Sequence, residues 1–347
     1  MNHSSYPPAD ALLAWYDSSR RHMPWREDPT PYHVWLSEIM LQQTRVEAVR
    51  DYYDRFLATL PDIRSLAMAD EDTCLKLWQG LGYYNRIRNM QKAARIVVSD
   101  FGGNFPEDPA VLETLPGIGH YTAGAIASIA FQKKAASIDG NLLRVYARIN
   151  DWHQPINTQQ AKDIAEEYFL SFMPEDRPGD FNQALMDLGA TVCLPNGMPH
   201  CGQCPWQASC KAYERNTMED LPVLPPKAKR LVEKKTVFLI QTPTQVLLHK
   251  RPDKGLLAGL YEFPNVEGHL KKKDIREWFP DAEITKLPDA KHIFTHKEWH
   301  MIAYRITLSG ADSLPKDRFP DAFFVTKEEL ATLYSVPSAF AAYQKML

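Results

Sequence analysis

Four cysteines fall within eighteen residues, Cys193, Cys201, Cys204 and Cys210, with the spacing C-x7-C-x2-C-x5-C. So many thiols in so short a span can hold zinc or an iron–sulfur cluster. Structural zinc usually shows two close pairs, and only Cys201 and Cys204 stand that close. Two carboxylates also keep unusual company. Glu38, in WLSEIMLQQT, is set among Trp35, Leu36, Ile39 and Met40, which can strip it of water and raise its pKa toward that of a general acid. Asp139, in SIDGNLLRV, precedes an apolar helical pattern. It therefore belongs at a helix start, where the dipole favours an ionised carboxylate. Each has a plainer explanation: a glutamate on a solvated helix face, and an N-cap without chemistry. The third feature is LPGIGHYTAGAIASIA, residues 115–130. Gly117 and Gly119 between two helical patterns would leave the first-turn amides of the second helix uncovered, an anion site suited to phosphate. An ordinary turn between helices would use glycine as well.

The elements that must carry these groups are helical. From residue 9 to about 213, segments such as PYHVWLSEIMLQQ, RIRNMQKAARIVVSDF and TQQAKDIAEEYFLSFM place apolar residues at helical spacing, with short breaks at LPDI, LGYYN, FPEDP and LPGIG. An all-α domain over residues 1–219 is expected, with the cysteine loop at 193–210 inside it. DLPVLPPKAKRLVEKK, residues 220–235, is rich in Pro and Lys and reads as a linker. Residues 236–347 change period. TVFLIQT, QVLLHK, HIFTHK, HMIAYRITL and DAFFVT read as strands, with KKDIREWF and SAFAAYQKM as helices. That predicts an α+β domain with a mainly antiparallel sheet.

Composition bounds the rest. At 347 residues the chain exceeds one ordinary core, and its 44% hydrophobic and 24% charged content is that of a soluble globular protein. A net charge of −3 excludes a uniformly basic nucleic-acid binder but not local basic patches. MNHSSYPPAD lacks the basic start and apolar run of a secretory leader. No stretch approaches the roughly 18 apolar residues of a membrane span, so a cytoplasmic protein is expected. In a reducing compartment the cysteine group reads as a metal or cluster site, not a disulfide framework. Cys74 stands alone, as a buried structural residue would.

The hairpin LPGIGHYTAGAI, the aspartate of SIDGNLLRV and the four cysteines, in that order, resemble the endonuclease III superfamily of DNA base-excision glycosylases. WLSEIMLQQT resembles a signature of its MutY-type adenine DNA glycosylases, and the likeness runs over about residues 9–345. The resemblance implies an all-α helix-hairpin-helix glycosylase domain with an iron–sulfur cluster loop, followed by an α+β Nudix-like domain. It implies an enzyme of base excision repair, acting as a monomer on double-stranded DNA. The activity implied is hydrolytic removal of adenine opposite 8-oxoguanine or guanine, leaving an abasic site.

By the same resemblance Glu38 is the general acid and Asp139 stabilises or captures the sugar cation. Arg26, in PWREDPTPY, and Asn141 match further active-site positions. Tyr121 stands where strand-cleaving relatives carry a Schiff-base lysine, which implies a primarily monofunctional enzyme with weak or no lyase activity and a hydroxyl beside the aspartate. Cys193, Cys201, Cys204 and Cys210 would hold one [4Fe–4S] cluster, although the first interval is one residue longer than the common pattern. Lys211 and Arg215 would stand near DNA. Gly117 and Gly119 would face its backbone, and Gln43 and Tyr83 would wedge into the duplex. Arg86, Arg88, Lys92 and Arg95 suit phosphate contact or a solvated face alike.

KGLLAGLYEFPNVEG resembles the opening of a Nudix domain, but the stretch from Gly268 lacks the glutamate-rich metal motif of a pyrophosphatase. The domain is thus expected to bind without hydrolysing. In HIFTHKEW, Phe294, Thr295 and His296 match a Phe-Ser-His loop that reads 8-oxoguanine, with threonine in place of serine. Three rivals stay open: a pyrimidine-specific glycosylase with lyase activity, a non-catalytic DNA-binding iron–sulfur protein, and a nucleotide pyrophosphatase.

Overall fold

A computed structural model describes residues 6–225 and 229–347; the first five residues of the N-terminal stretch and residues 226–228 of the expected linker lie outside the described residues. Among the described residues twelve α-helices come first: α1 (Ala9–Ser19), α2 (Pro31–Leu41), α3 (Val46–Thr59), α4 (Ile63–Met68), α5 (Glu71–Leu77), α6 (Asn85–Asp100), α7 (Pro109–Leu112), α8 (His120–Ala125), α9 (Gly140–Asn150), α10 (Gln159–Phe172), α11 (Pro178–Thr191) and α12 (Lys211–Arg215). Strands follow, β1 (Leu231–Gln241), β2 (Gln245–Lys250), β3 (Tyr261–Glu262), β4 (Asn265–Glu267), β5 (Glu283–Ile293), β6 (Lys297–Thr307) and β7 (Ala322–Thr326). Among them are α13 (Lys272–Trp278), α14 (Lys327–Thr332) and α15 (Ala341–Gln344). Among the described residues no helix is long and apolar enough to cross a membrane. The described residues form two compact units, one of residues 6–68 and 89–225, the other of residues 69–88 and 229–347.

In the first unit, α2 starts where Thr30 accepts a hydrogen bond from the His33 amide and Pro31 takes the first helical position. Eight of its eleven residues are buried, Glu38 among them, so α2 is a core helix rather than an amphipathic one. Asp139 caps α9, its Oδ1 accepting from the amides of Asn141 and Leu142, both at 2.8 Å. The helix ends at Asp151 in the left-handed region, φ 55°. Leu142, Val145, Phe169, Phe181, Leu185 and Leu188 join α9, α10 and α11 in one core.

The hairpin between α7 and α8 needs glycine at only one of its two positions. Gly117 has φ +80°, and a Cβ there would lie 2.7 Å from the Asn89 Cβ. Gly119 is extended, and a Cβ there would meet open space. The fold therefore does not require glycine at this position. Past α8 the chain continues as a π-helix over Ile126–Ala130.

The second unit is a seven-stranded sheet with the path β3-β2-β1-β6-β5, where β4 pairs with β1 and β7 with β2. The pairs are antiparallel except the longest, β1 with β6, which run parallel from Leu231↔Lys297 to Gln241↔Thr307. The sheet is mainly antiparallel, as expected, with one parallel pair at its centre. The long connection through β2–β5 permits this, because parallel neighbours need a crossover. Along β1, Val237 and Leu239 enter the core on one face, Phe238 and Ile240 that on the other. Such a strand, covered on both sides, reads as a continuous apolar run. Residues 69–88 join this unit through Lys76 Nζ, which donates to the Tyr334 carbonyl at 3.3 Å, and Gln79 Nε2, which donates to that of Val336 at 2.9 Å.

Candidate active site and cysteine cavity

The first unit holds a cleft of about 510 Å³ walled by Glu38 from α2, Tyr121 from α8, Asp139 and Asn141 from the start of α9, Arg26 from the turn before α2, and Gln183 from α11. That volume suits a small organic ligand. Glu38 is 6% exposed, with Trp35, Leu36, Ile39 and Met40 all buried around it. Burial pushes its carboxyl up to about 7; the nearby Asp139 charge adds to this, while the Tyr121 hydrogen bond and Arg26 oppose it. The Tyr121 hydroxyl donates to Glu38 Oε2. Burial raises the tyrosine's own pKa well above its ordinary value, with help from both carboxylates. The resemblance places that hydroxyl beside the aspartate; its hydrogen bond goes to the glutamate.

Asp139 is half-buried in the cleft wall. Its Oδ2 accepts from Asn141 Nδ2 at 2.7 Å, in addition to the two cap amides. A helix start alone would hold this carboxyl low, but burial outweighs the amide and Asn141 bonds and raises it. Asn141 is itself fixed: its Oδ1 accepts from Arg144 Nη2 at 2.9 Å, and a Cβ at Gly189 of α11 would lie 2.6 Å from its Cβ. Arg144 also donates to the carbonyls of Gly189 at 2.7 Å and Cys193 at 2.8 Å.

Arg26 does not reach into the cleft unaccompanied. Its Nη1 and Nη2 donate to Asp187 Oδ2 and Oδ1 at 2.8 and 3.0 Å, and its guanidinium lies 5.6 Å from the Tyr16 ring centroid. Sequence reasoning missed Arg21, Arg144, Gln183 and Asp187. FNQALMDLGAT carries no local sign that Asp187 meets residues more than 160 positions away.

The four cysteines are free and line one small cavity of about 30 Å³ between α9, the end of α11 and the loop that follows. Among the described residues no group of three or more His, Cys, Asp or Glu is arranged to hold a metal ion. Arg148 Nη1 stands 3.3 Å from Cys193 Sγ and donates to the Leu194 carbonyl at 2.9 Å. Burial pushes the Cys204 thiol up to about 12 and raises those of Cys201 and Cys210. Thiolates in this cavity need positive charge supplied from within it.

The candidate DNA-facing residues divide between the two units. Gln43 lines the cleft with φ 59°. In the second unit Tyr83 has φ 48° and is exposed. Bulky side chains seldom take this left-handed conformation, which concentrates at functional sites. The Tyr83 hydroxyl meets that of Thr295, 212 residues along the chain. Phe294, Thr295 and His296 form the tip of the β5–β6 hairpin, where Phe294 packs edge-on against Trp299 at 4.9 Å and the other two are exposed. The basic side chains are partly engaged: Arg88 with Glu71 at 2.6 Å, Arg215 with Asp151 at 2.7 Å, and Arg86 and Arg95 with main-chain carbonyls.

Residues 36–171 match the family described as "HhH-GPD superfamily base excision DNA repair protein", and residues 236–345 match the NUDIX domain. The chain is 36% identical to the adenine DNA glycosylase of Mus musculus over 92% of its own length and 73% of that protein's. It is 34% identical to that of Homo sapiens over 96% and 73%. With that of Buchnera aphidicola subsp. Baizongia pistaciae it shares 36% identity over 84% and 83%. A solved thermostable thymine-DNA glycosylase superimposes with a TM-score of 0.54 at 30% identity, covering 60% of this chain and 95% of that one. An endonuclease III trapped on DNA superimposes with a TM-score of 0.51 at 19% identity, covering 60% and 94%, a likeness of fold.

Proposed function

The chain belongs to the adenine DNA glycosylase family, and from that premise we propose that it excises adenine paired with 8-oxoguanine or guanine in double-stranded DNA. The observation that carries this reading is a buried carboxyl, Glu38, with a pKa near 7 in a cleft shared with Asp139. An adenine turned out of the duplex enters the cleft, and Glu38 gives its proton to the base. The C1′–N bond then breaks with its electron pair leaving on the protonated adenine. Asp139 opposes the positive charge that develops on the sugar, and water adds at C1′ with its proton passing to the now ionised Glu38, which leaves an abasic site.

Tyr121 has no amine to trap the sugar, so the strand stays intact and lyase activity is weak or absent. Its hydroxyl bond to Glu38 supports a different task, that of holding the carboxyl in place. The decisive assay is single-turnover cleavage of duplexes carrying A opposite 8-oxoguanine, A opposite G, and T opposite G. Adenine loss fastest opposite 8-oxoguanine, with strand breaks only after alkali and no borohydride-trapped adduct, is expected. Cleavage at the pyrimidine, or breaks without alkali, overturns the reading.

In the same proposal Phe294, Thr295 and His296 read the 8-oxoguanine. The bond between Thr295 and Tyr83 supports it, since it ties the reading loop to the wedge residue. The threonine methyl has room at the exposed tip.

Cys193, Cys201, Cys204 and Cys210 fit one [4Fe–4S] cluster, since all four line one shared cavity. When bound, the cluster would supply the positive charge that the buried thiolates need and cross-link the loop between α11 and α12 to itself. Cys204→Ser is expected to drop iron content well below the roughly four atoms per chain of a full cluster, with loss of the visible absorbance and a lower Tm. Unchanged iron, or stoichiometric zinc in the unaltered protein, refutes the assignment; both are read by elemental analysis.

A further inference from the structure

One carboxylate of the first unit has no part in that chemistry, yet holds two of the cleft's cations. Asp187 lies on α11, one turn past Gln183, with a side chain only 1% exposed. Its oxygens accept from the Arg21 amide at 3.1 Å, Arg21 Nε at 2.8 Å, Arg21 Nη2 at 2.6 Å, Arg26 Nη1 at 2.8 Å and Arg26 Nη2 at 3.0 Å. Arg21 and Arg26 both line the cleft. They sit on the stretch between α1 and α2, where only Pro24–Arg26 form a helical turn, so the forks hold this stretch against α11. Burial alone would push the Asp187 carboxyl up; the bonds from Arg26 and the charges of Arg26 and Arg21 hold it below the ordinary carboxylate value.

We propose that Asp187 is a positioning residue for excision: it binds both guanidinium forks, fixes Arg26 at the cleft wall, and compensates the positive charge that Arg26 presents to Glu38. The proposal rests on the general-acid role given to Glu38 above. The charged and titratable groups acting on Glu38 are Tyr121 from α8, Asp139 from the start of α9, and Arg26. Those acting on Asp187 are Arg21 and Arg26, with Tyr16 of α1 beside the Arg26 guanidinium. A cleft stripped of the Asp187 charge presents two uncompensated cations. Their field favours ionised Glu38, which then loses its proton at lower pH. Removing Arg21 acts in the opposite sense, because the Asp187 charge then answers Arg26 alone.

The test is the pH profile of single-turnover adenine excision for the unaltered protein and for Glu38→Gln, Asp187→Asn, Asp187→Glu and Arg21→Met, with duplex affinity measured in parallel. Asp187→Asn is expected to move the alkaline limb to lower pH, so that the rate falls about tenfold on that limb for each unit moved and much less on the acid side. Asp187→Glu restores the limb, and Arg21→Met moves it to higher pH. A uniform loss at every pH, with the limb in place, reduces Asp187 to a structural role and overturns the proposal. Should Asp187→Asn not fold, Arg21→Met decides alone, and an unmoved limb overturns it. An unaltered protein with no alkaline limb, or with one that Glu38→Gln retains, defeats the general-acid reading itself and this proposal with it. A limb that Glu38→Gln abolishes but that Asp187→Asn and Arg21→Met leave in place defeats only this proposal.

Discussion

Asp139→Asn is expected to lower the single-turnover rate of adenine excision by about 10³-fold, as the loss of a preorganised electrostatic partner does, while duplex affinity stays nearly unchanged. The substitution keeps size and shape. Asparagine is as good an N-cap as aspartate, so its carbonyl oxygen can still accept from the Asn141 and Leu142 amides that hold the start of α9. What is lost is the negative charge that opposes the sugar cation. The Asn141 side chain, which donates to Asp139 Oδ2, then faces an amide that also donates, a local cost of about 1 kcal/mol. Because Arg144 and the close approach of Gly189 still hold Asn141 in place, this cost does not spread. Rapid-quench assays with adenine opposite 8-oxoguanine, beside a binding titration on the same duplex, measure both quantities. A variant that excises at the unaltered rate refutes the role of Asp139.

Glu38→Gln should have the second large effect, and it should act on rate and stability in opposite directions. Loss of the proton donor is expected to cost roughly 10²- to 10⁴-fold in rate, the usual contribution of a general acid, and to abolish the alkaline limb. The limb follows from a carboxyl raised from 4.5 to about 7, since only its protonated form can donate. The same shift fixes the sign of the stability effect. Between these two values the folded protein binds a proton that the unfolded chain has released. The unaltered protein therefore loses stability as pH rises through this window, and the full cost of the buried charge is present above about 7. Glutamine carries no such cost and can still accept from the Tyr121 hydroxyl. Glu38→Gln should accordingly be the more stable protein at pH 8, by up to on the order of 3 kcal/mol, with the difference vanishing toward pH 4. Thermal unfolding at several pH values checks this. A Tm difference that does not vary with pH would mean that Glu38 is not held protonated by the fold.

Local chemistry is legible in the amino-acid order alone. The run of apolar neighbours around Glu38 is contained in one segment of α2, where eight of the eleven residues are buried. Asp139 two residues before Asn141 is already a cap with its own hydrogen-bond partners, because those partners lie within three residues. Gly117 can be read as a turn residue because its positive φ is a backbone property of the hairpin. Cysteine spacing places four thiols within one loop before any fold is known. In each case the physics is short-ranged along the chain.

Tertiary structure decided what depends on segments far apart. The Tyr121 hydroxyl finds Glu38 across 83 residues, and Arg26 finds Asp187 across 161; no spacing rule links such pairs. The parallel pairing of β1 with β6 was hidden for the same reason, since a strand's alternation shows which face is covered but not which strand lies beside it. Residues 69–88 lie within the helical stretch of the chain yet cluster with the sheet, because Lys76 and Gln79 find their carbonyl partners there. The left-handed backbone of Gln43 and Tyr83 is unfavourable to both residues taken alone and persists only where the surroundings impose it. Desolvation too is a sum over atoms brought in from several elements. The sequence could therefore single out the Glu38 carboxyl, but only the assembled cleft could set the pH at which it gives up its proton.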